Sequence, residues 1–330
     1  MSRGLGDVYK RQGLFMIFYG IIYAMLENDM RRILAYSIVN QVGFMVAGIG
    51  IGTTMALNGA AAHAFAHIIY KGLLLMSAGS VLYMTGRRKC TDLGGLFRSM
   101  PVTTLCAIVG AISISGFPLT SGFISKSMIV EAAADQHLAV IWFLLIAASA
   151  GVFLHAGVKF PWFVFFNRDS GLRPPDPPLN MRRAMILFAG LCIGIGVVPA
   201  TLYNLLPYPV EYLPYTGAHV VQTLQLLLFS GLAFFVALPA LRRTLTITLD
   251  SDWLYRRLLP LGVQRLLACS QPLDTAIRRG AGEIINGMIK TLSRYHAPQG
   301  ILARTWPTGS MVLWVAVLLG AYLLAYLFST

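Results

Sequence analysis

Residues 57–85 form an apolar run longer than the roughly 20 residues that cross a bilayer, yet a lysine, Lys71, stands near its middle. A lysine at the centre of such a span costs about 2.5–3.5 kcal/mol on insertion scales, so it seldom stays without a task. His63, His67 and Lys71 follow one another at intervals of four and share one face of a helix. Imidazoles exchange protons near neutral pH, and an amine deprived of water gives up its proton more readily. The stripe therefore reads as a row of proton-exchanging groups. Three plainer readings compete. A histidine on such a helix can be a hydrogen-bonded packing residue. A lysine can snorkel to the interface, which the central position of Lys71 disfavours. Zinc ligation is a poor fit, because no HExxH glutamate, cysteine or carboxylate stands nearby.

The rest of the chain supports a membrane setting. Of 330 residues, 56% are hydrophobic and only 12% are charged, where a soluble domain has about 25%. The expected fold is all-α, a polytopic bundle of about eight spans with one broken helix and a membrane-surface amphipathic segment. Spans are expected at 13–26, 33–51, 57–85, from 101 onward, and at 139–166, 184–206, 220–241 and 312–328. The span opening at Pro101 is interrupted around Gly116, Pro118, Ser121 and Gly122, with Lys126 just beyond. Proline removes a donor and clashes with the preceding turn, and the freed carbonyls must be satisfied inside the protein. A broken helix beside a charge is the usual build of an ion site in transporters. Its plainer counterpart is a proline kink with Lys126 at the interface. The span at 139–166 carries His155 and Lys159 at i, i+4, two further candidates for the proton pathway; Lys159 lies towards the basic end, where snorkelling would account for it equally well, so His155 is the better of the two.

Net charge is +13, and the basic residues fall in alternate loops: Arg31 and Arg32; Arg87, Arg88, Lys89 and Arg98; Arg168, Arg173, Arg182 and Arg183; then Arg242 onward. The intervening loops have neither Lys nor Arg, which predicts that the basic loops are cytoplasmic in a multi-pass protein of the bacterial inner membrane. Residues 1–12 break this alternation and lack the apolar stretch of a signal peptide, so they are expected to be a non-native leader. Residues 13–206 form the main membrane unit, 207–241 an additional transmembrane helix, and 242–305 an amphipathic or lateral segment with a helix cap at Asp250 or Ser251. Residues 306–330 hold the terminal helix. Cys90, Cys106, Cys192 and Cys269 have no paired spacing and are expected to be reduced bystanders.

Several motifs resemble one family. Asn28-Asp-Met-Arg-Arg-Ile-Leu-Ala-Tyr-Ser-Ile-Val-Asn-Gln-Val-Gly43, His63-x3-His67-x3-Lys71-Gly, Leu93-Gly-Gly95 and Ser115-Gly-Phe-Pro-Leu-Thr-Ser-Gly-Phe-Ile-Ser-Lys126 are similar to the antiporter-like proton-translocating subunits. These occur in Mrp-type monovalent cation/proton antiporters, respiratory complex I and membrane-bound hydrogenases. Residues 253–257 (Trp-Leu-Tyr-Arg-Arg) and the terminal span look most like the D-type proteins of Mrp. The resemblance implies the second of two inverted half-channel repeats, without a counterpart of the first, so a piece of a longer protein is expected. It also implies that Lys126 is the acid/base of the broken helix and that Lys71 lies on the central axis, with His67 and His63 as relay partners.

The expected role is proton translocation within a cation/proton antiporter, alongside other membrane subunits and with Na+ or another monovalent cation as the coupled ion. The alternatives are a proton-pumping component of complex I or a membrane-bound hydrogenase, and, in another class, a non-conducting scaffold. No redox or nucleotide motif is present, so no cofactor, metal, nucleic acid or enzymatic chemistry is expected of this chain itself. A hydrolase reading lacks any Ser-His-Asp or paired-Asp arrangement.

Overall fold

The computed structural model describes residues 3–239, 241, 253–298, 300–302 and 307–329, and the chain divides into two compact units, Met1–Thr248 and Leu249–Thr330. The first unit holds α1 (Arg3–Leu26), α2 (Met30–Ile51), α3 (Thr54–Thr85), α4 (Pro101–Ser115), α5 (Ser121–Asp135) and α6 (Ala139–Val152). The α6 rod runs on through π-helical turns at Phe153–Lys159 and Trp162–Phe166. Helices α7 (Leu179–Val197), α8 (Ala200–Tyr203) and α9 (Gly217–Ala237) complete it. The described residues contain no strand, only an isolated bridge between Asp29 and Lys89. The fold is a polytopic helical bundle.

Six helices among the described residues are long and apolar enough to cross a membrane: α2, α3, the α6 rod to Phe166, α7, α9 and α11 (Thr308–Phe328 of it). The other two expected spans differ for identifiable reasons. The first begins at Arg3 rather than at residue 13 and carries Asp7, Lys10 and Arg11 in its first half. Residues 3–12 continue the same helix and lie against the end of α2, with Gly6 beside the carbonyl of Gly50. The other is divided into α4 and α5, each 15 residues long. The sixth expected span also shifts. Helix α7 starts at Leu179, directly after Pro178, and stops at Val197, because Val198 precedes Pro199 and is pushed out of the helical region (φ −121°, ψ 78°).

Capping explains the sharp ends of the central helices. The Asp29 carboxylate accepts from the amides of Arg31 and Arg32, the Thr53 hydroxyl accepts from Ala56, and Gly52 and Gly86 close α2 and α3 in the left-handed region. Helix α3 then packs on α2, α4, α5 and α7, which places its histidine–lysine face inside the bundle.

Three of the basic loops meet at one end of this unit. Met30 donates to the carbonyl of Arg88 and Cys90 to that of Asn28, each through its amide, while the Arg88 guanidinium pairs with Asp29 at 3.2 Å. Ser170 donates to the carbonyl of Gly94. Arg173 grips Asp169 with two nitrogens, which holds that carboxyl well below the usual carboxylate range. Helix α4 has no cap from its own N-cap residue, Met100. Instead Asp176, from the loop before α7, accepts from the amides of Val102 and Thr103 and from the Thr103 hydroxyl at 2.8–3.1 Å. Losing a cap of this kind costs about 1–2 kcal/mol. Asp176→Ala is expected to lower the melting temperature in detergent, whereas Asp176→Asn, which keeps the acceptor, should recover most of the loss.

In the second unit, α10 (Leu259–His296) follows a π-helical turn at Leu254–Leu258, and α11 spans Thr308–Ser329. Helix α10 segregates apolar and charged residues onto opposite faces and buries no side chain. The cap expected at Asp250 or Ser251 lies outside the described residues. Cys90, Cys106, Cys192 and Cys269 are all free thiols.

Candidate functional site

The break between α4 and α5 is built backbone first. Gly116 ends α4 in the left-handed region (φ 77°), and its amide reaches the carbonyls of Ile112 and Ser113. The carbonyl of Ile114 would ordinarily receive the amide of residue 118, but Pro118 has none. The Lys126 ammonium fills that place, donating to Ile114 O at 3.0 Å from the second turn of α5. It also lies 5.2 Å from the centre of the Phe44 ring, a cation–π contact. A cation at the last carbonyls of α4 opposes the negative end of that helix dipole. Ser121 and Gly122 begin α5. The Ser113 and Ser121 hydroxyls are 3.1 Å apart, and a methyl added at Gly122 would overlap the carbonyl of Ser113.

Lys71 is 3% exposed and Lys126 4%, so neither reaches outward. Lys71 donates to the Ser37 hydroxyl at 2.8 Å and approaches the carbonyl of Leu34 at 3.5 Å. His63 is fully buried. One ring nitrogen, Nδ1, is 3.2 Å from the Ser125 hydroxyl, and the other, Nε2, is 3.0 Å from Gln41 Oε1 and 3.3 Å from the Tyr70 hydroxyl. Gln41 in turn donates to Asn40, which donates to the carbonyl of Ile17. The rings of His63, His67 and Tyr70 form a mutual cluster, and the Nε2 of His67 is buried without a protein partner.

The α6 residues complete the polar interior. His155 donates through Nδ1 to the carbonyl of Gly151 at 2.8 Å, and its Nε2 is a second buried nitrogen without a protein partner. Of the two readings of Lys159, snorkelling does not describe it: the side chain is 0% exposed and its ammonium donates to the carbonyls of Ala24, Met25 and Glu27 at 2.5–2.8 Å. Helix α1 ends at Leu26, and Lys159 gathers the carbonyls at that end from another element. Both it and His155 occupy the π-helical turn, in which Phe160 donates to the carbonyl of His155 five residues back.

Sequence reasoning singled out His63, His67, Lys71, Lys126, His155 and Lys159, and the bundle buries all six. It placed Ser125 only among the hydroxyls that could satisfy the break, and it missed Ser37, Asn40, Gln41 and Tyr70, which connect the six. A usable signal existed on α2: Ser37, Asn40 and Gln41 recur at three- and four-residue spacing in a mostly apolar segment.

Residues 12–153 match the profile of a family described as NADH:quinone oxidoreductase/Mrp antiporter, transmembrane. A probable K(+)/H(+) antiporter protein of Rhizobium meliloti, of A/B type, is 32% identical over 195 residues, covering 57% of this chain and 20% of that protein. The N-type NADH-quinone oxidoreductase protein of Desulforudis audaxviator is 33% identical over 196 residues, covering 57% and 39%. Among solved structures, a chain of the membrane-bound sulfane sulfur reductase, an archaeal respiratory membrane complex, superposes with a TM-score of 0.60 at 25% identity, covering 96% of this chain and 56% of that one. The chain thus matches a fifth to two-fifths of the length of these two curated relatives. The matched segment holds the divided helix with Lys126 and the buried Lys71: over residues 12–153 the chain is similar to the NADH:quinone oxidoreductase/Mrp antiporter transmembrane family.

Proposed function

We propose that this chain carries protons through a half-channel of a multisubunit membrane complex, with Lys126 as the acid/base at the broken helix and Lys71, His67 and His63 as the relay. The observation that carries this reading is the Lys126 ammonium, buried in the bundle and bonded to the one carbonyl that Pro118 leaves without an amide. Water threading past the unpartnered Nε2 atoms of His67 and His155 would complete the path, since a bridging water needs such polar partners. Lys71 and Lys126 are both buried in the same bundle interior, where charges are poorly screened. A proton arriving at one therefore favours release from the other, because like charges disfavour the charged form, and the pair titrates as a unit. His155 and Lys159 tune this field; Lys159 also anchors the end of α1.

The finer assignment is a component of a monovalent cation/proton antiporter of Mrp type, exchanging protons for Na+ or a related cation. Similarity to a probable K(+)/H(+) antiporter protein supports it. Similarity to an NADH-quinone oxidoreductase protein supports the second reading, a pump component driven by redox chemistry elsewhere in the complex. In either complex the partners are other membrane subunits, the chain sits in the bacterial inner membrane, and the gathered basic loops face the cytoplasm. The amphipathic α10 would lie along the membrane surface.

Lys71→Ala separates a conductor from a scaffold. In inverted vesicles from cells producing the chain with its native neighbours, it should leave assembly intact and lower proton flux by about a hundredfold, the low end of the range for a lost proton-transfer group. Wild-type flux in a correctly assembled Lys71→Ala complex would favour the scaffold.

A further inference from the structure

Two cavities meet at the end of the first unit opposite the basic loops. The inner one, about 430 Å3, is lined by Ser115, Gly122 and Lys126 and extends to Glu131, His219 and Gln222. The outer one, about 680 Å3, is lined by the same Glu131 and His219, together with Asp135, Glu211 and Asn58. Glu131 and His219 therefore stand at the junction, with the buried Lys126 amine on one side and the carboxylates of Asp135 and Glu211 around the mouth on the other.

His219 is positioned for more than packing. It lies in the first turn of α9, where the Thr216 hydroxyl accepts from its amide at 3.3 Å. Its ring stacks on Phe123 from α5, with centroids 4.6 Å apart and planes 19° apart. Nδ1 is 2.8 Å from the carbonyl of Pro214, which can only accept, so Nδ1 carries the hydrogen and Nε2 keeps a lone pair. The ring is thus fixed in one tautomer, with its basic nitrogen available at the junction.

We infer that His219 carries protons between Lys126 and the acidic outer mouth, with Glu131 as its neighbour on that route. This rests on the proton role proposed for Lys126. In the outward direction the Lys126 ammonium gives up a proton to water in the inner cavity, and that water passes one on to Nε2. The resulting imidazolium keeps its Nδ1–H on Pro214 O. It then returns the proton from Nε2 to the carboxylate of Glu131 or to water in the mouth. The opposite direction retraces these steps. The plain alternative is a ring that merely packs on Phe123.

His219→Phe keeps an aromatic ring against Phe123 and removes the proton carrier. It should assemble with wild-type thermal stability and lower flux by about tenfold or more. His219→Ala should lose as much and regain flux when imidazole is supplied on the mouth side of the vesicle. Wild-type flux in His219→Phe, or a loss in His219→Ala that imidazole does not restore, would overturn the inference. Lys71→Ala in the same assay keeps the two levels apart. A loss there with an indifferent His219 sinks only the outer relay, whereas wild-type flux in Lys71→Ala sinks the proton reading beneath it.

Discussion

Replacing Lys126 with alanine should reduce proton flux by about a hundredfold or more while the complex still assembles, the range expected when a proton-transfer group is deleted. The change removes one hydrogen bond, to Ile114 O, and one cation–π contact, to Phe44. Leaving that carbonyl unsatisfied costs about 1–3 kcal/mol, a loss that a bundle packed as tightly as this one can absorb. Lys126→Arg sharpens the test. A guanidinium fills a similar volume and stays charged under all ordinary conditions, so it could hold Ile114 but could not release a proton. Flux should be lost in both variants, with stability better preserved in the arginine one. Flux measured by a pH-sensitive dye in inverted vesicles, alongside the stoichiometry of the complex, decides between them; near-normal flux in Lys126→Arg would mean that only the charge matters.

The second large effect is on folding. Gly122→Val is expected to destabilise the first unit by upwards of about 3 kcal/mol, or to prevent assembly outright, because overpacking against backbone cannot be relieved by a side-chain rotation. The added carbons would occupy the space of the Ser113 carbonyl, part of the crossing that holds the end of α4 against the start of α5. Gly190→Ala is the matched control, since nothing lies within 4 Å of the position its methyl would take. A melting temperature for Gly122→Val equal to that of the control would show that the crossing is loosely packed.

What was legible in the sequence follows from local spacing. His63, His67 and Lys71 could be placed on one buried face because four residues return a helix nearly to the same side. Gly116 and Pro118 announced the break because their backbone restrictions act within a turn. Contacts between distant segments were not legible. Lys159 meets α1 across more than 130 positions, and nothing in its own neighbourhood distinguishes a lysine that snorkels from one that closes a remote helix end. Likewise, Ser37 and Gln41 look like tolerated polar residues until α2 is laid beside α3. The ends of α7 were misjudged because hydropathy fades gradually, whereas Pro178 and Pro199 act at single residues. His219 went unremarked because the start of a span is where an amphipathic ring is ordinary.

Ser125 and Lys126 are consecutive on α5, yet one is tied to His63 on α3 and the other to the end of α4. A small slide or turn of α5 cannot stretch one tie without straining the other. Any displacement of α5 along its axis would therefore register at α3 and at α4 together, so the three helices are coupled through two adjacent side chains.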